Sequence, residues 1–162
     1  MWDITKKRIR SKFKCRKSFV RSVDVSPNGR HVVSISGDGA IEILNMRDGS
    51  ARLLVDVPNG FWCVRFSPNG QYAAAGTDGG ALRIWNVRTG RLLKRWFGHR
   101  RTVQCLTFTP DGRGLVSGSS DGAVKCWDVS SILQSGGEPV ATTILEGKAY
   151  SVCPVLSSIL FP

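Results

Sequence analysis

The chain has 162 residues, 41% hydrophobic and 22% charged, with a formal net charge of +11 and a pI near 10.0. This is the composition of a folded globular chain and not of a disordered one. No apolar run reaches the ~20 residues of a membrane-spanning helix, and the charged opening Met1-Trp2-Asp3-Ile4-Thr5-Lys6-Lys7-Arg8 has no apolar run behind it, so it does not read as a secretory signal.

In chain order the pattern is all-β. Met1 and Trp2-Asp3 read as the end of a third strand and Ile9–Lys14 as a fourth, so residues 1–19 are expected to be the remnant of a preceding unit. The first whole unit spans 20–55, with strands Val20–Val25, His31–Ile35, Ala40–Asn45 and Ala51–Val55. The second spans 61–96, with strands Phe61–Phe66, Tyr72–Ala75, Ala81–Asn86 and Arg91–Trp96. The third spans 103–145. Its strands Val103–Phe108, Leu115–Ser117 and Ala123–Trp127 are followed by an inserted linker over 129–139 before a fourth strand. Residues 146–162 begin a further unit, with Ser151–Leu156 as its first strand. Turns such as Pro110-Asp111-Gly112 and Ser120-Asp121-Gly122 separate the strands, because Asp and Gly tolerate positive φ.

The units are copies of one another. Ser26-Pro27-Asn28-Gly29 returns as Ser67-Pro68-Asn69-Gly70 and Thr109-Pro110-Asp111-Gly112, at offsets of 41 and 42 residues. The closing pair runs Trp2-Asp3, Leu44-Asn45, Trp85-Asn86, Trp127-Asp128, at intervals of 42, 41 and 42. A period of ~40–45 residues with four strands per unit points to a β-propeller. An unrelated β-sandwich would not align turns and strand ends together in this way. Gly98-His99 opening the third unit and Trp127-Asp128 closing it resemble the WD-repeat family. The resemblance implies a partial propeller of about three blades with incomplete ends.

His99, Ser117 and Asp121 are the residue types of a hydrolytic triad. Their spacing matches another arrangement. In WD repeats the His before the first strand, the Ser of the second, the Asp of the next turn and the Trp of the third form a buried hydrogen-bonded tetrad. The resemblance therefore implies a structural tetrad of His99, Ser117, Asp121 and Trp127, each partner satisfying another. The first unit offers Arg16, Ser34, Asp38 and Leu44 instead, and the second Val57, Ala75, Gly79 and Trp85. Both are expected to rely on apolar packing, and no catalytic residue is expected.

In propellers resembling the G-protein β subunit, residues at the start of each first strand and before each turn Asp ring the channel mouth and bind partners. Carried over, they are Phe19, Arg21, Gly60, Trp62, Thr102 and Gln104, with Gly37, Asp78 and Ser120. Trp62 stands out, since Phe61 fills the buried slot equivalent to Val20 and Val103. Trp and Arg dominate interface energetics; the alternative is a Trp packed on a neighbouring blade. The five cysteines form no Cys-x-x-Cys pair, and Cys63 and Cys105 share one repeat position, as buried reduced thiols of a cytosolic or nuclear protein would. Ligands at metal spacing are lacking, so neither metal nor cofactor is expected.

Asn59-Gly60 before the second unit, Ala73-Ala74-Ala75-Gly76, Leu82-Arg83-Ile84-Trp85, Thr89-Gly90-Arg91-Leu92 and the Gly-containing linker 129–139 together resemble the propeller of fungal Tup-type general transcriptional corepressors. That resemblance implies a nuclear, non-catalytic scaffold with protein partners: DNA-bound repressors, chromatin proteins or corepressor subunits. It implies no membrane and no small-molecule substrate. The basic run Lys6, Lys7, Arg8, Arg10, Lys12, Lys14, Arg16, Lys17 and Arg21 leaves two accounts open. It is a solvated edge that repels stray pairing, or a phosphate-binding or nuclear-import patch, the former giving weak, nonspecific nucleic-acid binding.

Overall fold

The computed structural model describes residues 2–3, 8–9, 18–56, 60–134 and 139–146. Two short strands, β1 (Trp2–Asp3) and β2 (Arg8–Ile9), pair antiparallel. Twelve six-residue strands then build three antiparallel sheets of four, each a meander in chain order. The first holds β3 (Val20–Val25), β4 (His31–Ser36), β5 (Ala40–Asn45) and β6 (Ala51–Asp56). The second holds β7 (Phe61–Phe66), β8 (Tyr72–Thr77), β9 (Ala81–Asn86) and β10 (Leu92–Phe97). The third holds β11 (Val103–Phe108), β12 (Gly114–Ser119), β13 (Ala123–Asp128) and β14 (Ala141–Glu146), with helix α1 (Val129–Gln134) between the last two.

The first strands stand side by side, β3 against β7 and β7 against β11, so the sheets face one another as propeller blades. Two apolar layers fill the junctions. Val33, Ile35, Ile41 and Ile43 of the first sheet meet Phe61, Val64, Phe66 and Trp85 of the second. Cys63, Leu82, Ile84 and Trp96 on the opposite face meet Val103, Leu106, Phe108 and Trp127 of the third. Close approach requires small residues here: a Cβ on Gly76 would lie 2.5 Å from Val103.

Several strand limits differ from the sequence reading. The second strands extend beyond their apolar cores because their last residues still pair with the first strands, as Val20 with Ser36, Phe61 with Thr77 and Val103 with Ser119. The fourth strand of the second sheet starts at Leu92, because the Arg91 carbonyl closes the preceding turn on the Asn86 N–H at 2.9 Å. Within the linker 129–139, α1 forms because Asp128 Oδ1 accepts the Ser131 N–H at 2.7 Å and caps the first turn, while Val129 and Ile132 bury. Val20 does not fill a buried slot: it is 46% exposed, whereas Phe61 and Val103 are buried. Those two pack on the sheet before them, and no described four-stranded sheet precedes β3. The strands expected at Ile9–Lys14 (beyond Ile9) and Ser151–Leu156, with Arg16, Val57 and residues 147–162, lie outside the described residues.

Val23 and Val25 are each 54% exposed, although their repeat equivalents Val64, Phe66, Leu106 and Phe108 are buried. The front of the first sheet thus presents an apolar row of the kind that blades bury. The chain is expected to self-associate through it. Light scattering should show a concentration-dependent mass that falls when Val23 and Val25 are both replaced by serine, and a mass equal to one chain at all concentrations would refute this.

Candidate functional site

The four residues of the expected tetrad are joined in the third blade. Trp127 Nε1 donates to Ser117 Oγ at 2.8 Å, and Ser117 Oγ lies 2.8 Å from His99 Nε2. His99 Nδ1 lies 3.1 Å from Asp121 Oδ2. A carboxylate only accepts, so Nδ1 carries a proton, and in the neutral ring favoured by burial Nε2 accepts from the serine hydroxyl. Asp121 also accepts the N–H of Arg100 at 2.9 Å and of Ala123 at 3.0 Å. Burial outweighs the Asp121 charge and holds the His99 pKa below its ordinary value. Burial raises Asp121, but the two backbone N–H groups and His99 outweigh it and keep the carboxyl below its ordinary value. His99 is 6% exposed and Ser117 0%, so the Ser-His-Asp geometry has no access to a substrate.

The first two blades lack this chain. Ser34 and Leu44 are buried, while Asp38 is exposed and its carboxylate lies 3.3 Å from the Ala40 backbone nitrogen. In the second, Ala75 and Trp85 are buried, and Trp85 meets Phe61 edge-on with centroids 5.9 Å apart.

The mouth residues come together by a device the sequence does not announce. The register of each first strand shifts between Val20 and Ser22, between Phe61 and Cys63, and between Val103 and Cys105. The bulged residues are Arg21, Trp62 and Gln104. A bulge leaves its extra residue unpaired and re-aims its side chain. The other residues are tied in pairs: the N–H groups of Gly37, Asp78 and Ser120 donate to the carbonyls of Phe19, Gly60 and Thr102 at 2.8, 2.7 and 3.0 Å. Thr102 Oγ1 also donates to the Asp78 carbonyl at 3.2 Å, tying the second and third blades at the rim.

One corner of this rim is aromatic. The Arg21 guanidinium lies 4.3 Å from the Trp62 ring centroid and 5.7 Å from that of Phe19. Phe19 lies over Gly37, where a Cβ would fall 2.4 Å from the ring. Trp62 is 40% exposed and Phe19 65% exposed: Trp62 packs on Arg21 of the neighbouring blade and keeps part of its surface open to solvent. Gln104 holds the same bulge position in the third blade. Sequence reasoning missed the Arg83 guanidinium, 5.1 Å from the Phe61 ring, and Lys125 Nζ, which donates to the Gly98 carbonyl at 2.8 Å. Residues 42, 83 and 125 share one repeat position, held by Glu, Arg and Lys, so no common residue type marked it.

The WD domain, G-beta repeat family matches residues 7–45, 56–86 and 90–128. Each matched segment ends with the third strand of a sheet, and 90–128 opens with the fourth strand of the sheet before. No curated protein matches the chain. Among solved structures, a chain from "Crystal Structure of Mitotic Checkpoint Complex" is 22% identical, with a TM-score of 0.68 over 80% of this chain. This chain spans 39% of that one, and at this identity the likeness establishes the fold alone.

The tetrad has consequences for stability. Replacing His99 with alanine leaves the buried Ser117 and the half-buried Asp121 short of a partner, at a cost of ~1–3 kcal/mol. His31→Ala removes no such network and should cost less; equal losses in urea melts would refute the tetrad's role. Below about pH 6.5 the unfolded histidine gains a proton that folded His99 resists. The His99 contribution is therefore present above that pH and lost as pH falls, and His99→Ala should flatten the acid side of the stability profile.

Proposed function

Since the chain belongs to the WD domain, G-beta repeat family, we propose that it is a non-catalytic protein-interaction scaffold whose partners dock at the rim around Trp62. The observation that carries this is the exposed Phe19–Arg21–Trp62 group, set on a bulge and held by paired rim hydrogen bonds. Its cation–aromatic stacking pre-orders side chains of the types that anchor interfaces. A rigid rim loses little further freedom when a partner binds. The burial of Ser117 supports the non-catalytic reading.

Within that scaffold class, we place the chain with Tup-type corepressors: a nuclear platform for DNA-bound repressors or chromatin proteins. The motifs from Asn59-Gly60 through Thr89-Gly90-Arg91-Leu92 and the insertion 129–139 support this, and so does the charge of +11, which favours acidic partners. Nucleic-acid binding by the run 6–21 rests on charge alone, most of it outside the described residues.

Proteins captured on the immobilised chain from nuclear extract, identified by mass spectrometry, test the rim. Trp62→Ala should weaken capture of the specific partners by about 2 kcal/mol or more, with circular dichroism unchanged. An unaltered capture profile would refute the rim as the docking site. Binding to any DNA duplex should be weak and fade steeply toward ~200 mM salt; sequence-selective binding that survives it would favour a nucleic-acid function instead.

A further inference from the structure

The turns after β9 and β13 begin alike. Asn86 Oδ1 accepts the Thr89 N–H at 2.9 Å, as Asp128 Oδ1 accepts that of Ser131 at 2.7 Å, and each bond caps a helical turn. They then diverge. Gly90, at φ 73°, donates its N–H to the Asn86 carbonyl at 2.8 Å and ends the turn. After Asp128 no glycine intervenes, and α1 continues to Gln134. Its Val129 and Ile132 are buried with Ile84 and Trp96, and Tyr72 packs against the same cluster. Helix α1 also touches β10, so it plugs the junction between the second and third blades at this end.

The junction between the first and second blades has the same walls without the plug. It holds an open groove of about 800 Å³, lined by His31, Ile43, Ala51, Arg52, Val87 and Arg88 among others. By repeat spacing, His31, Ile43 and Val87 stand where Tyr72, Ile84 and Val129 stand around α1, while Gly90, beside Arg52 and Leu54, stands at the position of Ile132 and brings no side chain of its own. The charge differs as well: Arg52 and Arg88 replace Leu93 and Ser130. Arg52 Nη1 donates to the Arg88 carbonyl at 2.7 Å, which holds its guanidinium at the groove's rim. No ion pair to either arginine occurs among the described residues. The carboxylate of the adjoining turn, Asp48, is engaged by Ser50 and Asn45.

We propose that this groove binds an acidic amphipathic helical segment of a partner protein. A branched aliphatic side chain of that segment takes the place Ile132 has in the next junction, and its carboxylates face Arg52 and Arg88. Internal precedent fixes the shape of the occupant, and the two arginines fix its charge. This end of the strands is opposite to the Trp62 rim, so the site is independent of the rim.

The test titrates the full chain against a fluorescein-labelled synthetic peptide with isoleucine and leucine on one helical stripe and glutamate on the other face, read by anisotropy. Saturable binding is expected. Arg52→Glu with Arg88→Glu should weaken it about tenfold or more, Ala51→Trp should block it by filling the groove, and Trp62→Ala should leave it unchanged. A photoreactive group at the aliphatic position should crosslink to groove residues of the unaltered chain, which keeps the test valid if a variant misfolds. The proposal is overturned by absence of saturable binding, or by equal binding of a peptide whose aliphatic stripe is replaced by serine. Crosslinks that map to the Trp62 rim would also overturn it, as would a groove variant that dissolves self-association, which would make the occupant a second copy of the chain.

Discussion

The inner strand of each blade must pack against neighbours on both faces, and a regular strand cannot do so with this sequence. Strict alternation would put Phe61 and Cys63 on one face. The bulge at Trp62 breaks the alternation, so that Phe61, Val64 and Phe66 join the layer with the first blade while Cys63 joins the layer with the third. The same step at Gln104 places Val103, Leu106 and Phe108 on one side and Cys105 on the other. Packing between blades therefore depends on the bulge. So does the rim, because the residue freed from the ladder is the one that reaches its edge. Fold and candidate interface share one local distortion.

The three blades solve interior packing differently. In the third, a polar chain from Asp121 through His99 and Ser117 to Trp127 joins the entry loop to two strands and the turn between them, and its geometry is directional. In the second, Trp85 keeps its place but meets Phe61, and alanines line β8. In the first, Leu44 is buried where the other two blades carry tryptophan, and Val33, Ile35, Ile41 and Ile43 pack on the aromatics of the second blade. Hydrogen bonds fix one arrangement, whereas purely apolar layers tolerate small shifts. The third blade is thus the most sharply specified of the three, and the first, with its exposed valine row, depends most on what lies against it.

The two ends of the strands carry different kinds of surface. At one end, exposed aromatics and Arg21 sit on a rim braced by backbone hydrogen bonds. At the other, turn chemistry decides whether a junction is filled: a glycine in the left-handed region closes one turn early, and its absence lets α1 continue and cover the next junction. The turn glycine on one side and the insertion that forms α1 on the other separate an open, basic junction from a sealed one.

The sequence by itself determined the all-β class, the repeat period, the strand cores and the membership of the tetrad, because each leaves a mark in residue type at fixed spacing: turn Asp and Gly, apolar strand centres, and His, Ser, Asp and Trp at one repeat's offsets. Tertiary structure alone decided the rest. The bulges have no glycine to mark them, and only the demand for apolar contact on two faces reveals them. The exposure of Val20, Val23 and Val25 against the burial of their equivalents follows from what lies beside each sheet, which periodicity does not encode. The stacking of Arg21 on Trp62 joins residues of different blades, and the groove beside Arg52 exists because a helix formed at one junction and not at the other. Spacing along a chain fixes local conformation and phase; contacts between units arise only when neighbouring units meet.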